Sequence, residues 1–222
     1  AGDLRSPGPP LNSLLLAPLL FLLGCLFWGC GPEKPGPPQE AQVSRVVDGD
    51  TLILANGTKV RLLGIDAPEL EKEGRPADFL AHKARAFLSQ LTQGQTVRLE
   101  YDQLRYDRYG RLLAYLLLAD GSMVNVELVR QGLARVYLIP PNVRYRDTLI
   151  AAQREALEAR RGIWLKALSQ DEPYYLANRK TLRFHRPDCR LGQQMAKTNR
   201  LQINSLKDAY LQGYSPCRSC RP

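Results

Sequence analysis

Three carboxylates and two arginines in the central part of the chain have the residue types that phosphate chemistry requires. These residues are Asp50, Arg61, Asp66, Glu69 and Arg111. Neighbouring carboxylates require either a hard cation or protonation. Two arginines could bind a phosphate and stabilise its developing charge, and the remaining carboxylate could act as a general base on water. Each residue could instead be an ordinary surface salt-bridge partner.

A second group of possible ligands lies near the C-terminal end. His185 and Cys189 form an H-x3-C pair, and Cys217 and Cys220 form a C-x2-C pair. Two short-spaced pairs joined by a longer loop are typical of a tetrahedral Zn²⁺ site. A segment of about 50 residues with so few apolar side chains needs such a site to fold. The alternative is a disulfide, which would leave one of the three cysteines unpaired.

The candidate carboxylates and arginines must be positioned by short strands and the turns between them. Asn56 and Gly57 separate two β-prone runs, which predicts a hairpin with Arg61 in its second strand. Another pair of β-prone runs flanks residues 107–110, and Arg111 follows that turn directly. We therefore expect a β-meander that places these side chains at strand ends.

Apolar residues at helical spacing indicate helices between and after these strands. The predicted helices run from Pro76 to Gly94, from Val124 to Gln131 and from about Arg144 to Arg161. Together with the strands they predict an α+β or small-barrel domain over residues 42–168. The polar sequence after this domain marks a boundary, and residues 174–222 are expected to form a second unit.

The N-terminal segment predicts export. The uncharged apolar run from Leu14 to Trp28 is shorter than the roughly 20 residues of a spanning helix and suits an export signal over residues 1–30. Cys25 and Cys30 each follow a glycine, as at bacterial lipoprotein processing sites, and a Pro-rich tether covers residues 31–41. An uncleaved signal anchor is the alternative. Each interpretation predicts an extracytoplasmic protein, either secreted or attached to the membrane.

The composition is that of a globular protein with a basic C-terminal end. The chain has 222 residues, of which 44% are hydrophobic and 24% charged, and these values exclude global disorder and a collagen-like chain. The net charge is +9, and residues 169–222 contain ten Lys and Arg against four Asp and Glu. This asymmetry indicates a polyanionic partner, either nucleic acid or an anionic membrane surface. A solvated surface with a harmless charge excess is the alternative.

Residues 42–168 closely resemble the thermonuclease family, the staphylococcal nuclease-like Ca²⁺-dependent nucleases. The matching motifs are VDGDT at 47–51, RLLGIDAPE at 61–69, DRYGR at 107–111, LAY at 113–115, MVN at 123–125, LVRQGLA at 128–134 and GIW at 162–164. The resemblance implies a five-stranded OB-like β-barrel with three helices.

The same resemblance implies roles for individual residues. The implied Ca²⁺ ligands are Asp50, Asp66 and, through its backbone carbonyl, Ala67. The implied catalytic residues are Glu69 as the general base, and Arg61 and Arg111 as the pair that binds the scissile phosphate. Asp48 matches an acid near the metal, behind its ligands. Tyr109 and Tyr137 are candidates for contact with the nucleic acid.

Residues 183–222 resemble the zinc-binding domain of Ada, the bacterial methylphosphotriester repair protein. The matching segments are FHRPDC at 184–189, Asn199 and GYSPCRSCRP at 213–222. In that family a cysteine at the position of His185 accepts the methyl group, so methyl transfer is not expected here. Zn²⁺ binding by His185 and the three cysteines is expected. Arg186 and Arg218 are candidates for contact with the phosphate backbone.

These inferences predict an exported, membrane-tethered, sugar-non-specific nuclease that uses Ca²⁺ and carries a structural Zn²⁺. We expect it to act as a monomer on DNA and RNA, preferably single-stranded, and to leave 3′-phosphate ends. The alternative is a non-catalytic surface protein that binds nucleic acid, for example during DNA uptake. The complete set of carboxylates and arginines favours the enzyme. In this interpretation the catalytic residues lie entirely within residues 42–168.

Overall fold

The computed structural model describes residues 36–168 and 172–222. The predicted signal or anchor, most of the predicted tether and the candidate lipidation sites Cys25 and Cys30 lie outside the described residues. Within the described residues, no helix is both long enough and apolar enough to cross a membrane.

The β-prone runs of residues 42–117 close into a barrel in the order β1-β2-β3-β6-β5. The barrel strands are β1 (Glu40–Val46), β2 (Thr51–Leu54), β3 (Lys59–Leu62), β5 (Thr96–Glu100) and β6 (Leu112–Leu117), and β4 (Ile65–Asp66) pairs outside the barrel with β7 (Arg135–Val136). Strand β1 pairs with β5 through its first half and with β2 through its second half, with an irregularity between Val43 and Arg45. That division lets one strand close the sheet, and it confirms the predicted five-stranded barrel.

The predicted helices are present, with one correction at the first of them. The helices that pack on the barrel are α1 (Ala81–Thr92), α2 (Val124–Arg130), α3 (Arg146–Glu158) and the short α4 (Trp164–Ala167). The prediction that the first helix opens at Pro76 is wrong. Leu80 has a left-handed φ of 67°, and the Asp78 amide donates to the Glu69 carbonyl, so residues 69–78 form a closed loop before the helix.

The C-terminal segment folds as a small sheet in the order β10-β8-β9-β11, with short helices around it. Its elements are β8 (Tyr175–Asn178), β9 (Arg183–His185), α5 (Arg190–Gln193), a 3₁₀ helix (Lys197–Asn199), β10 (Arg200–Ile203), α6 (Leu206–Leu211) and β11 (Ser215–Pro216). The rings of Tyr175 and Phe184 pack edge to face in its core. We refer to residues 172–222 as the C-terminal module.

The C-terminal module shares a core with the barrel domain. The Trp164 ring lies 4.8 Å from the Tyr210 ring, and Nε2 of buried Gln153 donates to the Tyr210 carbonyl at 2.7 Å. Gly213 has a φ of +80°, and a Cβ at this position would lie only 2.6 Å from Cδ1 of Ile150. The close approach therefore requires glycine, and Pro37–Pro222 form one compact unit. Low apolar content concealed this shared core in the sequence.

Candidate active site and metal-binding cluster

Asp50 is held by the tight connection between β1 and β2. The Asp50 amide donates to Oδ1 of Asp48 at 3.0 Å, which places the Asp48 carboxylate next to the backbone of Asp50. The Asp50 carboxylate accepts hydrogen bonds from Oγ1 of Thr51 at 3.0 Å and from the amide of Ala67 at 2.9 Å. Gly49 allows this approach, because a Cβ there would lie 2.6 Å from Cβ of Ala67.

Asp66 lies in β4, close to Asp50, and is surrounded by guanidinium groups. Nη2 of Arg61 is 2.9 Å from Oδ2 of Asp50 and 3.6 Å from Oδ1 of Asp66. Strand pairing places Arg135 opposite Asp66, and its Nη2 lies 3.0 Å from Oδ2 of Asp66. Nη2 of Arg218 is 3.2 Å from Oδ1 of the same carboxylate. The structure therefore brings Asp50, Arg61 and Asp66 together, as predicted.

The electrostatics of this cluster favour a bound cation. Burial raises the pKa of Asp50 to about 7, Arg61 opposes this effect, and the negative charges of Asp48 and Asp66 add to it. Asp50 and Asp66 are both buried. Two buried carboxylates that converge on one nitrogen offer the hard oxygen ligands that Ca²⁺ takes. These two carboxylates therefore fit Ca²⁺ as ligands.

Glu69 lies at the base of the loop that precedes α1. Its carboxylate is 2.8 Å from Nζ of Lys72, and its amide donates to Oδ2 of Asp78 at 3.0 Å. The Glu69 side chain is 42% exposed, so water reaches it. Burial opposes the charge of Arg218, but Tyr137, Asp66 and Glu69 together raise the pKa of that guanidinium. Glu69 therefore faces the same region as Asp66 without being part of the buried cluster.

Arg111 is positioned by its own turn. Its Nε donates to Oδ2 of Asp107 at 2.7 Å, and Oδ1 of Asp107 accepts the Arg111 and Tyr109 amides. The parallel register of β3 and β6 pairs Arg61 with Leu113, and Arg111 lies two residues before Leu113, in the turn that leads into β6. Tyr109 is exposed, and its ring lies 5.5 Å from Cζ of Arg111. The structure thus places Arg111 near the cluster but pairs it with Asp107.

The remaining nucleic-acid candidates are already engaged within the protein. Cζ of Arg183 lies 3.8 Å from the centroid of the Tyr137 ring, and Cζ of Arg218 lies 5.2 Å from it. Nη1 of Arg186 is 3.4 Å from Glu172, and its Nη2 donates to the Arg221 carbonyl. Arg186 therefore links the first and last segments of the module. The predicted catalytic residues all lie within residues 42–168, and Arg218 of the module contacts one of their neighbours, Asp66, from outside that range.

The predicted Zn²⁺ ligands converge in the C-terminal module. The ligand atoms of His185, Cys189, Cys217 and Cys220 all lie within 4.8 Å of one another. All three cysteines of the described residues are free thiols. Burial raises the pKa of Cys220 to about 12, and the neighbouring Cys189 adds to this effect. One imidazole and three thiols at this spacing form the donor set of a tetrahedral Zn²⁺ site.

Three residues of the site were missed in the sequence analysis. Arg135 pairs with Asp66, Asp78 holds the backbone of Glu69, and Thr51 donates to Asp50. Arg135 was detectable, because a charged residue next to the apolar run Val136–Ile139 resembles the placement of Arg61. Asp78 gave no such signal, since its partner is a backbone amide in a loop.

Comparison with known proteins matches both halves of the chain. The family described as "Staphylococcal nuclease homologue" matches residues 59–166, and the "Metal binding domain of Ada" matches residues 165–222. A thermonuclease of Staphylococcus intermedius is 43% identical over 158 residues, which cover 68% of this chain and 94% of that protein. The chain belongs to the staphylococcal nuclease family. Membership identifies it as a phosphodiester-hydrolysing nuclease.

Two further relatives extend the family match. A thermonuclease of Staphylococcus hyicus is 39% identical over 129 residues, or 57% of this nuclease and 76% of that protein. The endonuclease YncB of Bacillus subtilis is 37% identical over 130 residues, or 56% of this nuclease and 61% of that protein. The family described as the metal-binding domain of Ada matches the C-terminal module.

Proposed function

We propose that this nuclease is Ca²⁺-dependent and sugar-non-specific, and that it cleaves DNA and RNA, preferably single strands, to leave 3′-phosphate ends. The observation that carries the proposal is the convergence of Asp50 and Asp66 on one nitrogen of Arg61, 2.9 and 3.6 Å away. The family resemblance supplies the metal and the products. We further propose that the protein acts as a monomer.

In this proposal Asp50, Asp66 and the carbonyl of Ala67 would hold Ca²⁺. The bound ion would supply positive charge to the phosphate as negative charge develops on it. Arg61 is fixed by hydrogen bonds from its Nη1 to the Leu62 and Ile65 carbonyls, so its guanidinium keeps one orientation.

In this proposal the side chains around the ion have separate catalytic roles. Glu69 would take a proton from the attacking water, which its exposed position allows. Arg61 and Arg111 would donate hydrogen bonds to phosphate oxygens, and their fixed positions would stabilise the transition state. Asp107 keeps Arg111 oriented between turnovers. A structural Zn²⁺ would hold the ligand-bearing segments of the C-terminal module together.

The general base can be tested with two neighbouring glutamates. Glu69→Gln should lower turnover of single-stranded DNA in Ca²⁺ by roughly 10²–10⁴-fold while leaving the affinity for the strand nearly unchanged. Glu71→Gln is the matched control, because Glu71 lies in the same loop and pairs only with exposed His82. Full activity of Glu69→Gln, or undiminished wild-type activity in excess calcium chelator, would contradict the proposal.

We also propose that the nuclease is exported and held at the membrane by its N-terminal segment. The support is the apolar run Leu14–Trp28, which contains Cys25 and is followed by Cys30 and a Pro-rich tether. If Cys30 is lipidated, the mature chain begins there and Cys30→Ala blocks processing while Cys25→Ala does not. Mass spectrometry of the mature N-terminus distinguishes these cases, and an unprocessed chain would favour a signal anchor.

A further inference from the structure

The C-terminal module reaches the carboxylates of the barrel through the turn between two of its cysteines. Arg218 lies between Cys217 and Cys220, and its Nη2 is 3.2 Å from Oδ1 of Asp66. The Arg218 side chain nevertheless remains 70% exposed, so the guanidinium is also open to solvent. The turn that holds two Zn²⁺ ligands thus contributes a positive charge beside a residue of the nuclease site.

This contact is fixed by the way the module packs. Just before the turn, Oγ of buried Ser215 donates to the Val136 carbonyl at 3.1 Å. Nη1 of Arg183 donates to the Leu138 carbonyl at 3.0 Å and thereby joins β9 to the segment after β7. The position of Arg218 relative to Asp66 therefore follows from the fold and not from a chance contact of a long side chain.

A cleft of about 670 Å³ opens beside Asp66, between the barrel domain and the module. The loop after Ala67 and part of α4 form one wall, and the last residues of the module, from Pro216 to Pro222, form the other. This volume lies within the range of roughly 300–1,000 Å³ that small-molecule sites occupy. The cleft is therefore large enough for a nucleotide and is continuous with the nuclease site.

The cleft has a surplus of positive charge. Its basic side chains are Lys72, Arg75, Arg135, Lys166, Arg218 and Arg221. Its acidic side chains are Asp66, Glu69 and Asp78, and each of them already accepts a hydrogen bond or ion pair from the protein. Such a surplus beside a hydrolytic site suits a chain of phosphates.

An aromatic side chain adds a second feature of a nucleic-acid site. Phe79 lines the cleft and is 43% exposed, and Nζ of Lys166 lies 4.1 Å from the centroid of its ring. An exposed ring beside a basic groove provides a surface on which a base can stack, whatever its sequence. Phosphate-binding and base-stacking groups therefore occur together in one cleft.

We propose that this cleft binds the nucleotides next to the scissile phosphate of a single strand, and that Arg218 and Arg221 contact its backbone phosphates. The C-terminal module is then one wall of the substrate site. This inference rests on the proposed function, because it takes the cleaved strand as the ligand. The cleft is formed by the barrel domain and the module together, and the inference gives the module a role in substrate binding.

The test measures how a fluorescein-labelled single-stranded DNA of about ten nucleotides binds to the full chain, by anisotropy, at a series of salt concentrations. All variants also carry Glu69→Gln, which prevents cleavage. Arg218→Ala with Arg221→Ala should weaken binding about 10–100-fold and lower the salt slope by about 1.4, because each phosphate contact on a single strand contributes about 0.7. Arg75→Ala, on the barrel wall, should lower the slope by about 0.7 independently of the module.

Arg179→Ala is the matched control, since Arg179 is an exposed arginine of the same module outside the cleft. Its affinity and salt slope should equal those of the parent. If the cleft variants behave like this control, the inference is wrong, even when the wild-type chain cleaves DNA in Ca²⁺. If the wild-type chain binds with the expected slopes but does not cleave, the proposed function fails and the binding cleft stands.

Discussion

The two candidate metal sites of this nuclease differ in how the protein satisfies their ligand groups. In the barrel, the carboxylates of Asp50 and Asp66 are paired with guanidinium groups, and Arg61 contacts both of them. In the module, the sulfur atoms of Cys217 and Cys220 accept weak hydrogen bonds from the backbone amides of Ser219 and Arg186. We therefore expect the barrel to arrange its carboxylates without an ion, and the module to gain more from a bound metal.

This difference follows from the elements that carry the ligands. Asp66 is fixed by strand pairing, and Asp50 by a short turn and the Ala67 amide, so the barrel core sets their positions. The Zn²⁺ ligands lie at the ends of short elements, and the 4.8 Å cluster joins the turn after β9 to the C-terminal turn. A bound metal would link these two segments directly and add its binding free energy to folding.

Loss of the module's metal is the strongest test of this contrast. Cys189→Ser should abolish Zn²⁺ binding and destabilise the module by several kcal/mol, because structural Zn²⁺ in small domains contributes on the order of 10 kcal/mol. Urea denaturation and elemental analysis measure both effects. Ser219→Ala is the control, since it alters the same cluster without removing a ligand.

Because the module and the barrel domain share a core, unfolding of the module should also affect the barrel domain. Tyr210 of the module contacts Trp164 and accepts a hydrogen bond from Gln153, so unfolding of the module exposes part of the barrel domain. In Cys189→Ser we expect the module to unfold at a lower urea concentration than the barrel, and the fluorescence of Trp164 should change in that first transition. A chain that is fully stable without zinc, or thiol titration that reveals a disulfide, would contradict the metal assignment.

Much of the fold could be predicted from local sequence. The hairpin at Asn56-Gly57 and the helix from Val124 depend on turn chemistry and periodicity, which act over a few residues. The predicted start of α1 is wrong because hydrogen bonds between Glu69 and Asp78 close the loop before it, one from the Asp78 amide to the Glu69 carbonyl and one from the Glu69 amide to the Asp78 carboxylate. Such pairing leaves no periodic pattern in the sequence.

Only part of the candidate site could be predicted from the sequence. Family motifs identified Asp50, Arg61 and Asp66, which the structure brings together. The contact between Arg218 and Asp66 spans 152 positions of the chain and joins two families, so neither family's motifs could reveal it. It depends instead on the packing of the module against the barrel domain, where Ser215 and Arg183 donate to the Val136 and Leu138 carbonyls.

Removal of the Arg61 charge from the barrel should lower the free energy of unfolding less than Cys189→Ser does in the module. Arg61→Gln leaves the buried Asp50 and Asp66 without their shared partner and should lower the free energy of unfolding by about 3–5 kcal/mol in calcium-free buffer near pH 8. Arg45→Gln on exposed β1 is the control and should change it by less than about 0.5 kcal/mol.

The pH dependence of that loss separates a charge effect from a packing effect. Burial raises the pKa of Asp50 to about 7, so near pH 5 its folded-state carboxyl is largely neutral and Arg61 has less charge to balance. Urea denaturation should therefore give a smaller loss for Arg61→Gln near pH 5 than near pH 8. Added Ca²⁺ near pH 8 should recover part of the lost stability, because the ion replaces the missing positive charge between the same carboxylates. Equal losses at both pH values would show instead that Arg61 stabilises the barrel mainly through its hydrogen bonds to the Leu62 and Ile65 carbonyls.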